Sequence, residues 1–254
     1  MAILFVASEA FELKPLAERL TGLRSLKWPL DYAEEGVWHG KRYLLTANGA
    51  GPRLASHCVE VALRATSMAE LSASKLEAVV STGLCGAIED SLQIGDIIEA
   101  VEILAPDRYH RLPCMQVECD REHKRGLIIS ADRVAGTIAE KQELRSEGVL
   151  AVEMEASGSG QRAIAAGLPF CCIKAVSDRA DEEFVMDFNR LRSIDGRFSR
   201  GKIVLYALTH PPTIPRLVSL RRRSQVAASA LGAFLASCRF QFSDIHPEPH
   251  ETDQ

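Results

Sequence analysis

Four parts of the sequence place carboxylates or glycines directly after an apolar run: 8–12, 48–53, 82–87, and 153–155 together with 177–178. Their carboxylates include Glu12, Glu155 and Asp178. In an open α/β sheet, ligands bind outside the carboxyl ends of the strands, so polar residues at these points are the candidate functional residues. Several carboxylates without a histidine cluster indicate acid/base chemistry on a neutral substrate.

Three common catalytic or nucleotide-binding patterns are missing from the sequence. No Gly-x-Ser-x-Gly occurs, since Gly158-Ser159-Gly160 is too short and falls within a predicted helix. No Gly-x-x-x-x-Gly-Lys-Ser/Thr phosphate loop is present. No Gly-x-Gly-x-x-Gly follows the first apolar run, which argues against a dinucleotide site.

The elements that must position these residues alternate along the chain. Short apolar runs predict strands at 3–7, 42–46, 76–81, 97–104, 126–129, 150–152 and 170–176. Helical spacing and helix-stop signals predict helices at 9–20, from Pro52, at 155–166, at 184–191 and from about 215 to 240. Residues 82–87 and 193–196 are predicted turns, and Pro211-Pro212 is a predicted break. The class is therefore α/β, with one domain over 1–240 and a disordered tail at 241–254.

Composition restricts the class of protein. The chain has 254 residues, of which 46% are hydrophobic and 25% charged, which excludes a disordered chain. Thirty basic and 34 acidic residues argue against a nucleic-acid binder. Seven cysteines cannot all pair, so a reducing cytoplasm is expected. No targeting segment is recognised, and the weakly polar run 226–238 is shorter than the roughly 20 residues that span a bilayer.

Several motifs, in matching order and spacing from residue 2 to about 184, resemble those of the purine nucleoside phosphorylase and nucleosidase superfamily. The 5′-methylthioadenosine/S-adenosylhomocysteine nucleosidases are the most similar members. The motifs are Ala7-Ser8-Glu9-Ala10-Phe11-Glu12-Leu13, Ser81-Thr82-Gly83-Leu84-Cys85-Gly86-Ala87 with Leu92-Gln93-Ile94-Gly95-Asp96-Ile97, Gly126-Leu127-Ile128-Ile129-Ser130-Ala131-Asp132, Val152-Glu153-Met154-Glu155-Ala156 and Ala175-Val176-Ser177-Asp178.

The resemblance implies a three-layer α/β/α fold with a mixed, partly barrel-like sheet, and cleavage of the N-glycosidic bond of a purine nucleoside, with adenine as the expected base. It implies that Glu12 deprotonates the attacking water, Asp178 protonates the purine N7, and Glu155 accepts hydrogen bonds from the ribose hydroxyls. The other implied substrate-binding residues are Met154, Ser177, Cys85, Gly86, Lys174, Val134, Ala135 and Phe184. No metal or organic cofactor is expected. The resemblance implies a homodimer or a larger homo-oligomer.

Four positions depart from the family pattern. Leu84 stands where a serine hydroxyl usually holds the water or phosphate, and Lys174 stands where the nucleosidases carry arginine. Val134 and Ala135 replace a large aromatic and a branched residue, which predicts a roomier base pocket. Phosphorolysis, with phosphate as co-substrate, stays open because Arg53 and Lys174 could supply charge. The presence of Glu12 as a base favours water as the nucleophile.

The region after Asp181 is more similar to hopanoid-associated members of the superfamily, which are thought to remove adenine from an adenosyl-lipid precursor. Its predicted last helix contains the basic run Arg221–Arg223, and a weakly polar stretch comes after this run. Such a helix either packs one face on the core or contacts a membrane surface through 216–240. A lipid-tailed nucleoside is therefore a second candidate substrate.

Each candidate also has a structural interpretation. Glu12 and Glu155 could merely favour a helix dipole, and Asp178 could cap the segment after its strand. Cys85 is either a reactive thiol or a small packing residue, and Cys171-Cys172 are expected in the core. His110, Cys114, Cys119 and His123 fit no common zinc spacing and indicate a solvated loop. A non-catalytic nucleoside-binding protein is the alternative of another class, motivated by Leu84 and Lys174.

Overall fold

The computed structural model describes residues 1–67, 75–105, 109–193, 197 and 200–242. Its strands are β1 (Ala2–Ala7), β2 (Thr21–Ser25), β3 (Tyr32–Trp38), β4 (Lys41–Ala47), β5 (Leu76–Ser81), β6 (Leu84–Ala87), β7 (Ile97–Leu104), β8 (Arg111–Pro113), β9 (Lys124–Ser130), β10 (Val149–Glu153) and β11 (Phe170–Asp178). Its helices are α1 (Ala10–Ala17), α2 (Pro52–Ser67), α3 (Ile138–Leu144), α4 (Ala156–Ala165), α5 (Phe188–Leu191), α6 (Arg200–Thr209) and α7 (Ile214–Leu235), with a 3₁₀ turn at Pro211–Thr213.

One mixed sheet contains an open wing and a closed barrel. The wing runs β2-β3-β4-β1-β5-β11, and its last four strands are parallel. The strands β11, β6, β10, β9 and β7 close on themselves, because β11 pairs with both β6 and β7. The first part of β11 therefore belongs to the wing, and its second part to the barrel. This confirms the predicted mixed, partly barrel-like sheet.

Helices cover both faces of the sheet. On one face, α2 and α4 bury Cys58, Val59 and Ala156 against the sheet. On the other face, Leu16 of α1 and Leu231 of α7 pack against the apolar strands. The β1 strand is fully buried along its length, which explains why it is a continuous apolar run rather than an alternating one. The layers are those expected of a three-layer α/β/α protein.

Most local predictions are confirmed. The strands predicted at 76–81 and 97–104 have those bounds, and the other predicted strands differ by one or two residues at an end. Pro52 begins α2, as its missing N–H allows. The prediction of a turn over 82–87 is wrong for its last four residues, because Leu84–Ala87 form β6 of the closed barrel. The helix predicted at 184–191 contains only α5, which begins after its Asp187 cap.

The last helix has two different halves. Ala227, Leu231 and Phe234 of α7 are buried against α1 and the sheet, so the core-packing interpretation of the weakly polar run is correct. The predicted membrane contact through 216–240 therefore does not apply to the second half of α7, because the apolar face of that half is already buried. The first half of α7 and the preceding α6 expose apolar side chains, among them Leu208 and Val218.

No helix among the described residues is long and apolar enough to cross a membrane. The predicted turn at 193–196 falls largely on residues that lie outside the described ones, as does the predicted tail apart from 241–242.

Candidate active site

A cavity of about 320 Å³ lies where the carboxyl ends of β1, β10 and β11 meet. It is the arrangement expected for an open α/β sheet. All but one of the predicted site residues line it: Glu12, Cys85, Gly86, Val134, Ala135, Met154, Glu155, Ser177, Asp178 and Phe184. Residues that lie up to 172 positions apart in the sequence, from Glu12 to Phe184, are thereby brought to one site.

Glu12 lies in the first turn of α1, directly after β1. Its Oε2 accepts hydrogen bonds from the backbone N–H of Ser8 at 3.0 Å and of Glu9 at 3.2 Å. Glu12 therefore supports the helix start and lines the cavity at the same time. Burial raises the pKa of Glu12 to about 8, the charge of Glu155 adds to this, and Lys174 and the two N–H groups oppose it. Such a pKa suits a general base near neutral pH.

The Glu12 carboxylate rests against a glycine in a left-handed conformation. Gly83 has a φ of +114°, and a Cβ there would lie 2.7 Å from Glu12 Oε2. Only glycine provides both the conformation and the space.

Asp178 ends β11 at a β-bulge. Val176 pairs with Cys85 and Asp178 with Gly86, so Ser177 is the extra residue. A bulge re-aims side chains at a sheet end, and here it directs Asp178 towards Gly86, where a Cβ would lie 2.9 Å from Oδ2. The Ser177 hydroxyl donates to Asp178 Oδ1 at 2.8 Å. Lys141 of α3 donates to Oδ2 at 2.6 Å, a contact that sequence reasoning did not anticipate.

Glu155 begins α4 beside a buried ion-pair cluster. Lys174 Nζ lies 2.7 Å from Glu153 Oε2 and 3.3 Å from Glu155 Oε2, and it donates to the Thr82 carbonyl at 2.9 Å. Glu153 also accepts the N–H groups of Glu155 and Ala156, and these hydrogen bonds stabilise the start of α4.

The cluster sets the charge behaviour of its members. Burial raises the pKa of Glu155, and the Lys174 ammonium opposes this. Burial lowers the pKa of Lys174, but the charges of Glu153 and Glu155 outweigh it and leave the pKa above its ordinary value. Lys174 is fully buried and does not line the cavity, so its predicted direct contact with substrate is corrected to a support of Glu155 from behind.

Part of the cavity wall is apolar. Val134 and Ala135 line it, and the Asn189 amide holds the Val134 backbone from both sides: Oδ1 accepts its N–H, and Nδ2 donates to its C=O, each at 2.9 Å. Phe184 completes the wall and meets Phe188 edge-on, with ring centroids 5.3 Å apart. The wall residue Val134 is therefore fixed by an amide on α5 that no sequence motif indicated.

The C-terminal helices contribute to the lining of the cavity. Ile203 of α6 and Leu220 and Ser224 of α7 line it, and so do Phe11 and Arg133. No local pattern in the sequence indicates these contacts, because they depend on how α6 and α7 fold back over the sheet. Ile203 lies on the same helix as the exposed apolar side chains of α6.

The groups considered for phosphate binding lie elsewhere. Arg53 lines a separate depression with His57 and Glu60, and Lys174 is enclosed by carboxylates. Leu84 lines the cavity at the position where a hydroxyl was expected. Burial raises the pKa of the Cys85 thiol, which favours the packing interpretation over a reactive thiolate.

The cysteines and histidines considered for metal binding have other roles. All seven cysteines are free thiols, and Cys171 and Cys172 are fully buried. His123 Nε2 lies 3.1 Å from Glu99, and Cys119 Sγ lies 3.3 Å from the Ser237 hydroxyl. Within the described ranges, no group of three or more His, Cys, Asp or Glu side chains could hold a metal ion.

Known proteins share this sequence pattern and fold. Residues 110–195 match the family model of the phosphorylase superfamily. A 5′-methylthioadenosine/S-adenosylhomocysteine nucleosidase of Staphylococcus aureus is 25% identical over 204 residues, with 70% of this chain and 86% of that protein covered. The corresponding nucleosidase of Neisseria meningitidis, solved with methylthio-immucillin-A, has a TM-score of 0.68 at 20% identity and covers 93% of this chain and 97% of its own. Futalosine hydrolase of Helicobacter pylori has a TM-score of 0.66 at 17% identity, and the match covers 93% of this chain and 96% of that chain.

The sheet and its carboxylate-lined cavity define a protein of the nucleoside phosphorylase and hydrolase fold. Residues 110–195 match the phosphorylase superfamily model, which agrees with the resemblance of the motifs. The chain as a whole is similar to the methylthioadenosine/S-adenosylhomocysteine nucleosidases. The similarity of its C-terminal region to hopanoid-associated members stays a prediction.

Proposed function

We propose that the protein hydrolyses the N-glycosidic bond of a purine nucleoside, with adenine as the preferred base. The observation that carries this proposal is the meeting of Glu12, Glu155 and Asp178, from three separate strand ends, in one cavity of about 320 Å³. The expected enzyme class, a nucleosidase or nucleoside phosphorylase, agrees with the named relatives. A binding protein would need no buried base with a raised pKa.

Glu12 acts as the base in this proposal. Its carboxylate removes a proton from a water molecule as the water oxygen attacks the anomeric carbon. The raised pKa makes the carboxylate a stronger proton acceptor than an exposed glutamate. A well-placed base contributes about 10²–10⁴-fold to the rate.

Asp178 acts as the acid on the opposite side of the bond. As the C1′–N9 bond breaks, its electron pair passes to the purine, and a proton from Asp178 passes to N7. The bulge at Ser177 and the open space at Gly86 support this role, because they bring the carboxyl to the cavity wall. An acid and a base on separate strands can have different environments, as this division of roles requires.

Glu155 and Met154 would hold the sugar. Glu155 accepts the backbone N–H of Gly51 through Oε1 at 3.2 Å and the Lys174 ammonium through Oε2. These contacts orient the carboxylate before a ligand binds, and its remaining lone pairs suit ribose hydroxyls. Met154 supplies an apolar contact for the face of the sugar.

Water is the proposed nucleophile. Glu12 can activate water, and the cations considered for phosphate binding, Arg53 and Lys174, do not line the cavity. The Leu84 side chain cannot hydrogen-bond phosphate oxygens. The mechanism derived from the chain's own groups requires no metal or organic cofactor.

A product assay tests the proposal. Purified protein is incubated with adenosine, methylthioadenosine, S-adenosylhomocysteine and inosine, with and without phosphate, and free base is followed by chromatography. Base released equally without phosphate supports hydrolysis, and base released only with phosphate would identify a phosphorylase. Tight nucleoside binding with no product over a day would instead favour the binding protein.

A lipid-tailed nucleoside is the second candidate substrate. Ile203 and Leu220 line the cavity, and Val204, Leu205 and Leu208 on α6 are more than half exposed. This apolar surface suits a long 5′ substituent, and the basic residues Arg221 and Arg222 suit anionic lipid headgroups. Nucleosides with 5′-alkylthio chains of increasing length test the pocket, since a rise in kcat/KM with chain length is expected. Co-sedimentation with anionic liposomes at low salt tests membrane contact.

We propose a homodimer from the resemblance, and a cytoplasmic location from the seven cysteines, which cannot all pair. Sedimentation velocity at several protein concentrations tests the dimer, and a monomer at all concentrations would exclude it.

A further inference from the structure

Lys141 is a buried lysine in direct contact with the proposed acid. Its side chain is 2% exposed, and its ammonium donates to Asp178 Oδ2 at 2.6 Å. It also donates to the carbonyl oxygens of Arg179 at 2.5 Å and Glu182 at 3.2 Å. These three acceptors match the three N–H bonds of an ammonium. Lysine is almost never fully buried unless paired, so the sequence retains a costly group at this point.

The helix that carries Lys141, α3, has a capping box at its N-terminus. Thr137 caps α3 by accepting the N–H of Glu140, and the Glu140 carboxylate accepts the Thr137 N–H in return. This capping box fixes the turn that precedes Lys141. The ammonium also lies 5.9 Å from the centre of the Phe184 ring, which lines the same cavity. The position of the ammonium is therefore determined by a capped helix, two carbonyls and the Asp178 carboxyl.

The contact gives the two Asp178 oxygens different partners. Lys141 holds Oδ2, and the Ser177 hydroxyl holds Oδ1. A hydroxyl can rotate and exchange its partner for a ligand, whereas an ammonium with three acceptors has no such freedom. A buried ammonium beside a carboxylate also stabilises negative charge more strongly than the same contact in water.

We propose that Lys141 is a positioning residue for the leaving-group side of the reaction: it orients the Asp178 carboxyl towards the purine and stabilises the carboxylate that remains after proton transfer. In this step the carboxyl proton of Asp178 moves to N7, the C1′–N9 electron pair passes to the purine, and Lys141 keeps its protons. This inference rests on the proposed function and adds a group that lies outside the substrate cavity.

The test compares two leaving groups. A purine nucleoside needs its base protonated, whereas a p-nitrophenyl riboside releases a stable anion without an acid. Lys141→Met should lower kcat for the best purine nucleoside by about 10²-fold, within the range of acid catalysis. It should leave kcat for the nitrophenyl riboside within about threefold of wild type, because the stabilised carboxylate serves only acid catalysis. Asp178→Asn should give the same pattern, and Lys124→Met, at a lysine whose side chain is 42% exposed, should affect neither substrate.

The outcomes separate a positioning role from a structural one. An equal loss of kcat on both substrates would overturn the proposal, because it would show that Lys141 only stabilises the turn at 179–182. An unchanged kcat on both substrates would also refute it. If Lys141→Met does not fold, Lys141→Gln answers the same question, because its amide can still donate to the two carbonyls without the charge. A wild-type protein that cleaves the nitrophenyl riboside but no purine nucleoside would refute the proposed function, and the inference with it.

Discussion

Replacement of Glu12 by glutamine should lower activity and raise stability together. Glutamine keeps the size of the side chain and an oxygen that accepts the N–H groups of Ser8 and Glu9. It cannot take a proton from water, so kcat should fall by about 10²–10⁴-fold. It also removes a buried group whose ionisation is costly, since Glu12 is only 6% exposed.

The stability gain has a defined pH dependence. The pKa of Glu12 rises from 4.5 in the unfolded chain to about 8 in the folded protein, chiefly because of burial. Between these values the folded state binds more protons than the unfolded state, so stability is fully present below pH 4.5 and is lost as the pH rises towards 8. At about 1.4 kcal/mol per pH unit, the gain from Glu12→Gln should grow by about 3 kcal/mol between about pH 5.5 and pH 8.

Two assays on one protein preparation check this reasoning. Urea unfolding at both pH values measures the free energy of unfolding, and base release measures kcat. The matched control is Glu18→Gln, at an exposed glutamate that caps the other end of α1 and does not line the cavity. A gain that is the same at both pH values would refute the raised pKa, and a variant with intact turnover would refute the role of Glu12 as base.

Three further variants test other parts of the site. Lys174→Met should destabilise the protein by about 3–5 kcal/mol, because it leaves two buried carboxylates without their cation; chemical denaturation measures the loss. Gly86→Ala should lower kcat at least tenfold, because the new Cβ would displace the Asp178 carboxyl 2.9 Å away; steady-state kinetics measure the change. Asn189→Ala should raise KM more than it lowers kcat, because the Val134 backbone in the cavity wall loses both of its amide partners.

Each of these predictions can fail. An unchanged free energy of unfolding in Lys174→Met would mean that the carboxylates protonate at little cost. Gly201→Ala is the matched control for Gly86→Ala, since a Cβ at Gly201 meets nothing within 4 Å, and equal kinetics in both variants would contradict the steric argument. An Asn189→Ala variant with unchanged KM would show that the Val134 backbone keeps its position without the Asn189 amide.

Local sequence patterns were sufficient for the buried parallel strands and the points at which they end. The runs at β1, β5 and β11 are buried over nearly their whole length, so each is a continuous apolar segment that can be recognised without a partner. The motifs then indicated that Glu12, Glu155 and Asp178 follow such strands. By contrast, β2 is exposed along its whole length and has no hydrophobic pattern to reveal it.

The fold class, the strand ends and the carboxylates placed there follow from local patterns, because burial and turn chemistry leave such patterns in the sequence. Three features appear only in the folded protein: β11 closes a barrel, Lys174 is buried beside Glu153 and Glu155, and Lys141 contacts Asp178. A lysine has the same local pattern whether it is solvated or paired in the core. Its role is decided by which distant carboxylate the chain brings to it, and pairing between distant segments is not encoded in any single segment.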